Sequence, residues 1–222
     1  MLEWVSLFAV FSIFAPICSL SSRTDFLIAS MTELFLVRHG QTCENVGRIL
    51  QGHLPGRLTE EGRAQAAKLC EKLSVRPEKF DVMVSSDLAR AVETAELLNA
   101  ELRLPFHLTP LLRERDWGSL TGMVIPREGI ADFPDDVESV EAMFRRAEQF
   151  FIYLKERFPG RKILAVGHGL FNRVVLAASE GKTIREVPRM ENAEIRQCAL
   201  PEHLVGSSKG SSAPEEPLRT ED

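Results

Sequence analysis

A chain of 222 residues is long enough for one domain with a substantial core, and 44% apolar with 27% charged residues excludes a disordered or fibrous protein. The net charge of −5 gives no support for nucleic acid or an anionic membrane as partner, although a local group of arginines could still hold a small anionic substrate. Cys18, Cys43, Cys70 and Cys198 are scattered, without a CxxC pair or metal-ligand spacing, and read as reduced thiols of a cytoplasmic protein rather than a disulfide framework.

Residues 1–30 stand apart. Trp4 to Leu20 is almost unbroken apolar sequence, but it lacks the basic start of a secretory signal and is short for a membrane span. The segment reads either as an upstream start preceding the true one at Met31, or as a poor signal or anchor; only in the latter case would the protein be secreted or membrane-attached. Residues 31–203 read as the single domain. Leu34–Val37 is a buried strand ending at Arg38-His39-Gly40. Leu58–Leu73 follows as a helix, with Thr59 as N-cap, Glu60 and Glu61 in its first turn, and Ala66, Leu69, Cys70 and Leu73 on one face. Phe80–Val84 is a second strand, and Ser85-Ser86-Asp87 is expected to cap the next helix. Phe106–Thr109 is a third strand, followed by a loop through Gly122. Val140, Met143, Phe144, Ala147, Phe151 and Leu154 make an apolar stripe on a long helix from about Asp136 to Arg157. Lys162–Val166 is a strand ending at Gly167-His168-Gly169, then come an apolar helix and a last strand within Ala193–Leu200. From about Leu204 to Asp222 the Ser/Gly/Pro/Glu-rich composition predicts a disordered tail.

Alternating strands and helices imply a largely parallel sheet covered on both faces, with ligands bound beyond the carboxyl ends of its strands. His39, Ser85-Ser86 and His168 all fall just after predicted strands, so three distant segments are expected to meet along one edge. A neutral histidine with one free ring nitrogen can attack phosphorus, and a neighbouring arginine can hold phosphate oxygens by charge-assisted bonds. His39 and Arg38 supply that pair. Arg90, in the first turn of a helix, is a second clamp where the dipole and free N–H groups also favour an anion. His168 can donate to charge developing on a transferred phosphoryl group. Glu114 can protonate a leaving alkoxide, with Asp116 as the rival acid two residues on. Each of these alone has a plain structural explanation; together they compose a phosphoryl-transfer site that calls for neither metal nor cofactor.

These residues resemble the histidine phosphatase superfamily, the phosphoglycerate mutase-like family, over about Thr32 to Leu200. Leu36-Val37-Arg38-His39-Gly40-Gln41-Thr42 with Asn45 looks like its signature block. Gln51-Gly52 with Leu58-Thr59-Glu60-Glu61-Gly62 and Gln65-Ala66 looks like the next. Ser85-Ser86-Asp87-Leu88-Ala89-Arg90-Ala91 with Thr94-Ala95 resembles the second-arginine block, Glu114 with Trp117-Gly118 and Thr121-Gly122 the acid block, and Gly167-His168-Gly169 with Arg173 the second-histidine block. The resemblance implies a three-layer α/β/α sandwich with a mostly parallel mixed central sheet. It implies that His39 becomes a phosphohistidine, that Arg38, Arg90 and His168 bind and stabilise the phosphoryl group, and that Glu114 is the proton donor. Asn45, Gln51, Gly52 and Gly169 would line the pocket. The chain departs from the family pattern at Leu170-Phe171-Asn172, where many relatives have a second Gly and an Ile, which leaves the local pocket shape open.

Three activities are compatible with this set. The implied one is a metal-independent phosphatase acting on small phosphate monoesters. A phosphoglycerate mutase shares the same core residues, but mutases carry a long insertion after the acid block, and the connection from Gly122 to the long helix looks too short for it. Arg115 could still grip a substrate carboxylate, which keeps that reading second. A catalytically silent binding domain on the same fold would have lost one of Arg38, His39, Arg90, Glu114 or His168, and none is lost. The sequence sets no oligomeric state.

Overall fold

The computed structural model describes residues 31–201 apart from 78, 127–129 and 131. The apolar extension over 1–30 and the tail over 204–222 lie outside the described residues. Five strands form one sheet in the order β3-β2-β4-β1-β5. They are β1 (Glu33–Arg38), β2 (Val82–Ser86), β3 (Phe106–Thr109), β4 (Lys162–Gly167) and β5 (Ile195–Cys198). The pairs β1–β4, β2–β4 and β2–β3 are parallel, and β5 runs antiparallel along β1. The helices are α1 (Cys43–Val46), α2 (Glu60–Ser74), α3 (Ala89–Leu102), α4 (Val140–Arg157) and α5 (Gly169–Glu180). Among the described residues no helix is long and apolar enough to cross a membrane.

The period-two alternation of the strands divides the core. Leu34 and Leu36 of β1, Val82 and Val84 of β2, and Ile163 and Ala165 of β4 pack against α4 and α5. The intervening Phe35, Val37, Met83, Leu164 and Val166 pack against α2 and α3. Both faces are thus covered, which is why the central strands read as continuous apolar runs. The result is the expected mixed, mostly parallel sheet between two helical layers.

Several boundaries differ from the sequence reading for local reasons. The second strand runs two residues further than predicted, through Ser86. Ser85-Ser86-Asp87 therefore does not cap α3; Leu88 occupies the N-cap without a side-chain bond. Ser86 Oγ instead accepts the Leu88 N–H at 3.3 Å, and Asp87 holds Arg113 through two bonds of 2.7 and 2.5 Å. The long helix starts at Val140 rather than near Asp136, because Ser139 caps it by accepting from the Ala142 N–H. Asp136 is engaged elsewhere, accepting from the Ser119 backbone and hydroxyl. Thr59 caps α2 as expected, accepting from Gly62 N–H at 2.9 Å.

The start of α2 touches the loop after β1 backbone to backbone. A Cβ on Gly40 would lie 2.5 Å from the Gly62 carbonyl oxygen, and one on Gly62 would run into the Gln41 carbonyl. Neither neighbour is a side chain that could swing away. Gly62→Ala is therefore expected to cost about 1–3 kcal/mol of overpacking. Calorimetry should register this as a melting temperature lower by about 3–10 °C for a domain of this size; an unchanged value would refute the contact.

Candidate active site

The parallel register brings the carboxyl ends of three strands into line. Arg38 lies opposite Gly167, and Ser85 opposite Val166, so Ser86, His168 and His39 follow one another across β2, β4 and β1. The two histidine rings stand edge to face with centroids 5.2 Å apart.

His39 is 3% exposed. Its Nδ1 lies 2.7 Å from the Gly40 carbonyl oxygen. A carbonyl can only accept, so Nδ1 carries the proton and Nε2 presents a lone pair. Burial, with the Arg90 charge next and Arg38 after it, holds this imidazole well below the ordinary value of 6.5, so it is neutral at pH 7. Arg90 Nε–H points at His39 Nε2 from 3.3 Å. The rest of that guanidinium is tied down, Nη1 donating to Leu54 O at 2.5 Å and Nη2 to Gly52 O at 2.8 Å. The left-handed backbone of Gly52, at φ 47°, allows this turn, and Gly52 thus serves through its carbonyl. Burial draws the Arg90 pKa down to about 10, against which the Glu114 and Glu44 charges act, so the cation persists at neutral pH.

Arg38 donates through Nη1 to Met190 O at 2.6 Å. Its Nε is buried without a hydrogen-bond partner, as is Nδ1 of His168. His168 is fully buried, with Nε2 2.9 Å from Ser86 Oγ, and burial followed by the Arg90 charge holds it, too, well below 6.5. Gly169 is a glycine for a steric reason: a Cβ there would sit 3.0 Å from Arg38 Nε.

Glu114 stands on the loop after β3, and its charge acts on both Arg38 and Arg90. Its carboxylate accepts three backbone N–H groups, those of Arg115 at 3.0 Å, Phe171 at 2.9 Å and Leu170 at 3.1 Å. The last two open α5, so the helix that begins after His168 also fixes the carboxylate. Within the Leu170-Phe171-Asn172 stretch the first two residues supply these donors from the backbone, and buried Asn172 donates its side-chain N–H to Val37 O at 3.1 Å. Arg146, stacked 3.8 Å from the Phe171 ring centroid, braces the loop from below by donating to the Arg113 carbonyl at 2.6 Å.

Asn45 accepts from Thr42 N–H and closes the capping box of α1, and the buried Gln51 Oε1 has no hydrogen-bond partner. The Arg115 side chain makes no hydrogen bond to the His39 cluster. Its guanidinium lies 4.7 Å from the Trp117 ring and 4.5 Å from Phe133, with Nε donating to Glu138 O at 2.7 Å. Asp116, the rival acid, is exposed and accepts from Gly118 N–H.

Three contributors escaped the sequence reading in the roles the structure gives them. Ser86, expected as part of a helix cap, instead orients His168. Asn192 donates to His39 O at 3.0 Å and to Asn45 Oδ1 at 3.3 Å. Ala193, held left-handed at φ 54°, donates to Arg38 O at 3.0 Å. These last two precede β5, and the only sequence signal for them would have been that the last strand runs back along β1.

Comparison with known proteins gives the family. A model of the histidine phosphatase superfamily (branch 1) matches residues 34–202. The uncharacterized phosphatase PhoE of Bacillus subtilis is 32% identical over 155 residues, covering 68% of this chain and 79% of its own. The metal-independent phosphoserine phosphatase of Arabidopsis thaliana is 28% identical over 177 residues, covering 70% and 74%. Among solved structures, a mycobacterial glucosyl-3-phosphoglycerate phosphatase superposes with a TM-score of 0.63 at 30% identity, covering 74% of this chain and 88% of that one. These three relatives are named as phosphatases, and this chain belongs to the histidine phosphatase superfamily (branch 1).

Proposed function

We propose that this protein is a metal-independent phosphatase that hydrolyses small-molecule phosphate monoesters through a phosphohistidine on Nε2 of His39. The observation that carries the reading is a neutral, buried imidazole whose proton is held on Nδ1 by Gly40 O while its bare nitrogen faces the Arg90 guanidinium. In the first step the Nε2 lone pair forms a P–N bond as the ester P–O bond breaks, and the leaving oxygen takes a proton from Glu114. In the second the Glu114 carboxylate takes a proton from water as its oxygen attacks phosphorus. The P–N bond breaks, phosphate leaves, and both groups are restored. The Ser86 hydroxyl, which accepts from Leu88 N–H, donates to His168 Nε2 and so puts the proton of this neutral ring on Nδ1; Arg38 Nε and His168 Nδ1, both buried without partners, suit the phosphoryl oxygens, and the two guanidinium groups supply the positive charge. The names of two similar proteins, which act on phosphoserine and on glucosyl-3-phosphoglycerate, point to small monoesters as the substrate class.

The test is a panel of natural phosphate esters incubated with purified protein in chelator, scored for free phosphate against isomerised ester. Release of phosphate untouched by chelator supports the reading, whereas isomerised product or chelator-sensitive turnover contradicts it. Two further outcomes are expected. Because His39 must be deprotonated to attack and its pKa is depressed, the ascending limb of kcat/KM should lie below 6.5; an ascending limb centred at or above 6.5 would contradict the buried neutral imidazole. Glu114→Gln should reduce kcat about 100-fold on alkyl phosphates and far less on p-nitrophenyl phosphate, whose leaving group needs little protonation. Equal losses on both would remove Glu114 from the role of acid.

A further inference from the structure

Four hydrogen bonds close a ring that contains the nucleophile. Arg90 Nε–H points to His39 Nε2 at 3.3 Å, and His39 Nδ1–H to Gly40 O at 2.7 Å. Gly40 N–H donates to Thr94 Oγ1 at 3.1 Å, and the Thr94 hydroxyl donates to the Arg90 carbonyl at 2.7 Å. Thr94 is fully buried. A threonine in mid-helix often bonds back to the carbonyl four residues earlier, and by itself that bond is only local structure. Here the same oxygen also receives a donor from a loop 54 residues away.

The acceptor's position gives this second bond its importance. Gly40 lacks a Cβ, so its dihedrals are soft, and the carbonyl that chooses the His39 tautomer would swing with them. Both peptide groups flanking Gly40 are pinned instead. Its N–H is held by Thr94, and the next N–H, that of Gln41, donates to Gln65 Oε1 at 3.0 Å. The other end of the Thr94 hydroxyl's reach is the first turn of α3, which carries Arg90. One side chain therefore fixes the nucleophile's loop and the phosphate clamp relative to each other. We infer that Thr94 is a positioning residue: it keeps the proton on Nδ1 of His39 and sets the separation between His39 and Arg90. The inference rests on the phosphohistidine reading for its kinetic consequence, but not for its tautomeric one.

The test compares Thr94→Val, which keeps the shape and removes the hydroxyl, with Thr94→Ser, which keeps the hydroxyl. With p-nitrophenyl phosphate, Thr94→Val should lose about 10- to 100-fold in kcat, as misplacement of a reacting group does, with KM within about threefold of wild type. Thr94→Ser should recover most of the turnover. Nitrogen-15 spectra of the imidazoles should show His39 as the Nδ1–H tautomer in wild type and Thr94→Ser, and as a tautomer mixture in Thr94→Val. A Thr94→Val enzyme with wild-type kcat, or with an unchanged tautomer, overturns the inference. Thr94→Ala serves if Thr94→Val does not fold; loss of fold in both, with Thr94→Ser intact, would make the role structural and equally overturn it. A wild-type protein without any turnover would defeat the phosphatase reading, and the tautomer comparison would still decide the positioning role.

Discussion

His39→Ala should abolish turnover, lowering kcat by at least about 10⁴-fold, a loss expected when a nucleophile is removed and only binding and charge stabilisation remain. The size follows from what the ring does. Arg38 and Arg90 can hold a phosphate without it, but a guanidinium has no lone pair to offer phosphorus. A melting temperature of His39→Ala close to wild type would show that the effect is chemical rather than structural. His39→Gly offers a sharper form of the same test. Free imidazole entering the space left by the ring should restore part of the activity, with phosphoimidazole appearing as product. In the wild-type protein, rapid quenching with radiolabelled ester should recover label on one histidine, lost in acid and retained in base. Activity in His39→Ala above about one hundredth of wild type would make the histidine an accessory to some other nucleophile, since orientation effects alone are of that order.

The sequence made some of this legible and hid the rest, and the division is physical. The apolar run of β1 and the glycine-followed histidines after β1 and β4 needed only strand periodicity and the rule that sites lie at carboxyl ends. Thr59 was readable as a cap because capping is local, and Arg90 fell in the first turn of α3 as its spacing from the strand required. What hid was the choice between local and long-range hydrogen bonds. Ser86 has the chemistry of a helix cap, yet its hydroxyl is spent on His168, 82 residues away. Asp136 has the chemistry of a helix start, and a loop serine takes it. Asn192 and Ala193 act only because β5 turns antiparallel along β1, a pairing that propensity does not encode. Arg115 illustrates the same gap from the other side: sequence spacing put a cation next to the acid, and two aromatic rings and a carbonyl hold it there.

Arg90→Lys should be nearly as damaging as its charge conservation would suggest it is mild, with kcat/KM lower by about 10³-fold. The guanidinium uses three separate nitrogens in three directions: Nε toward His39, Nη1 to Leu54 O and Nη2 to Gly52 O. A lysine ammonium is a single point on a flexible stem. If it reaches the two carbonyls it leaves the nucleophile's side, and if it approaches the phosphoryl position it abandons the carbonyls. Leaving buried carbonyls unpaired costs about 1–3 kcal/mol in stability, so the melting temperature should fall by several degrees as well. The charge itself has a second consequence. Arg90 is a fixed cation whose charge, after burial, is the leading force depressing the His39 pKa, and a mobile ammonium would depress it less. The acid limb of kcat/KM should therefore move toward higher pH in Arg90→Lys, up toward the ordinary histidine value. A loss of activity without that movement would mean that Arg90 only binds phosphate. A movement without the loss would mean that it only tunes the imidazole. With one guanidinium bonded to two carbonyls and aimed at His39 Nε2, both are expected together.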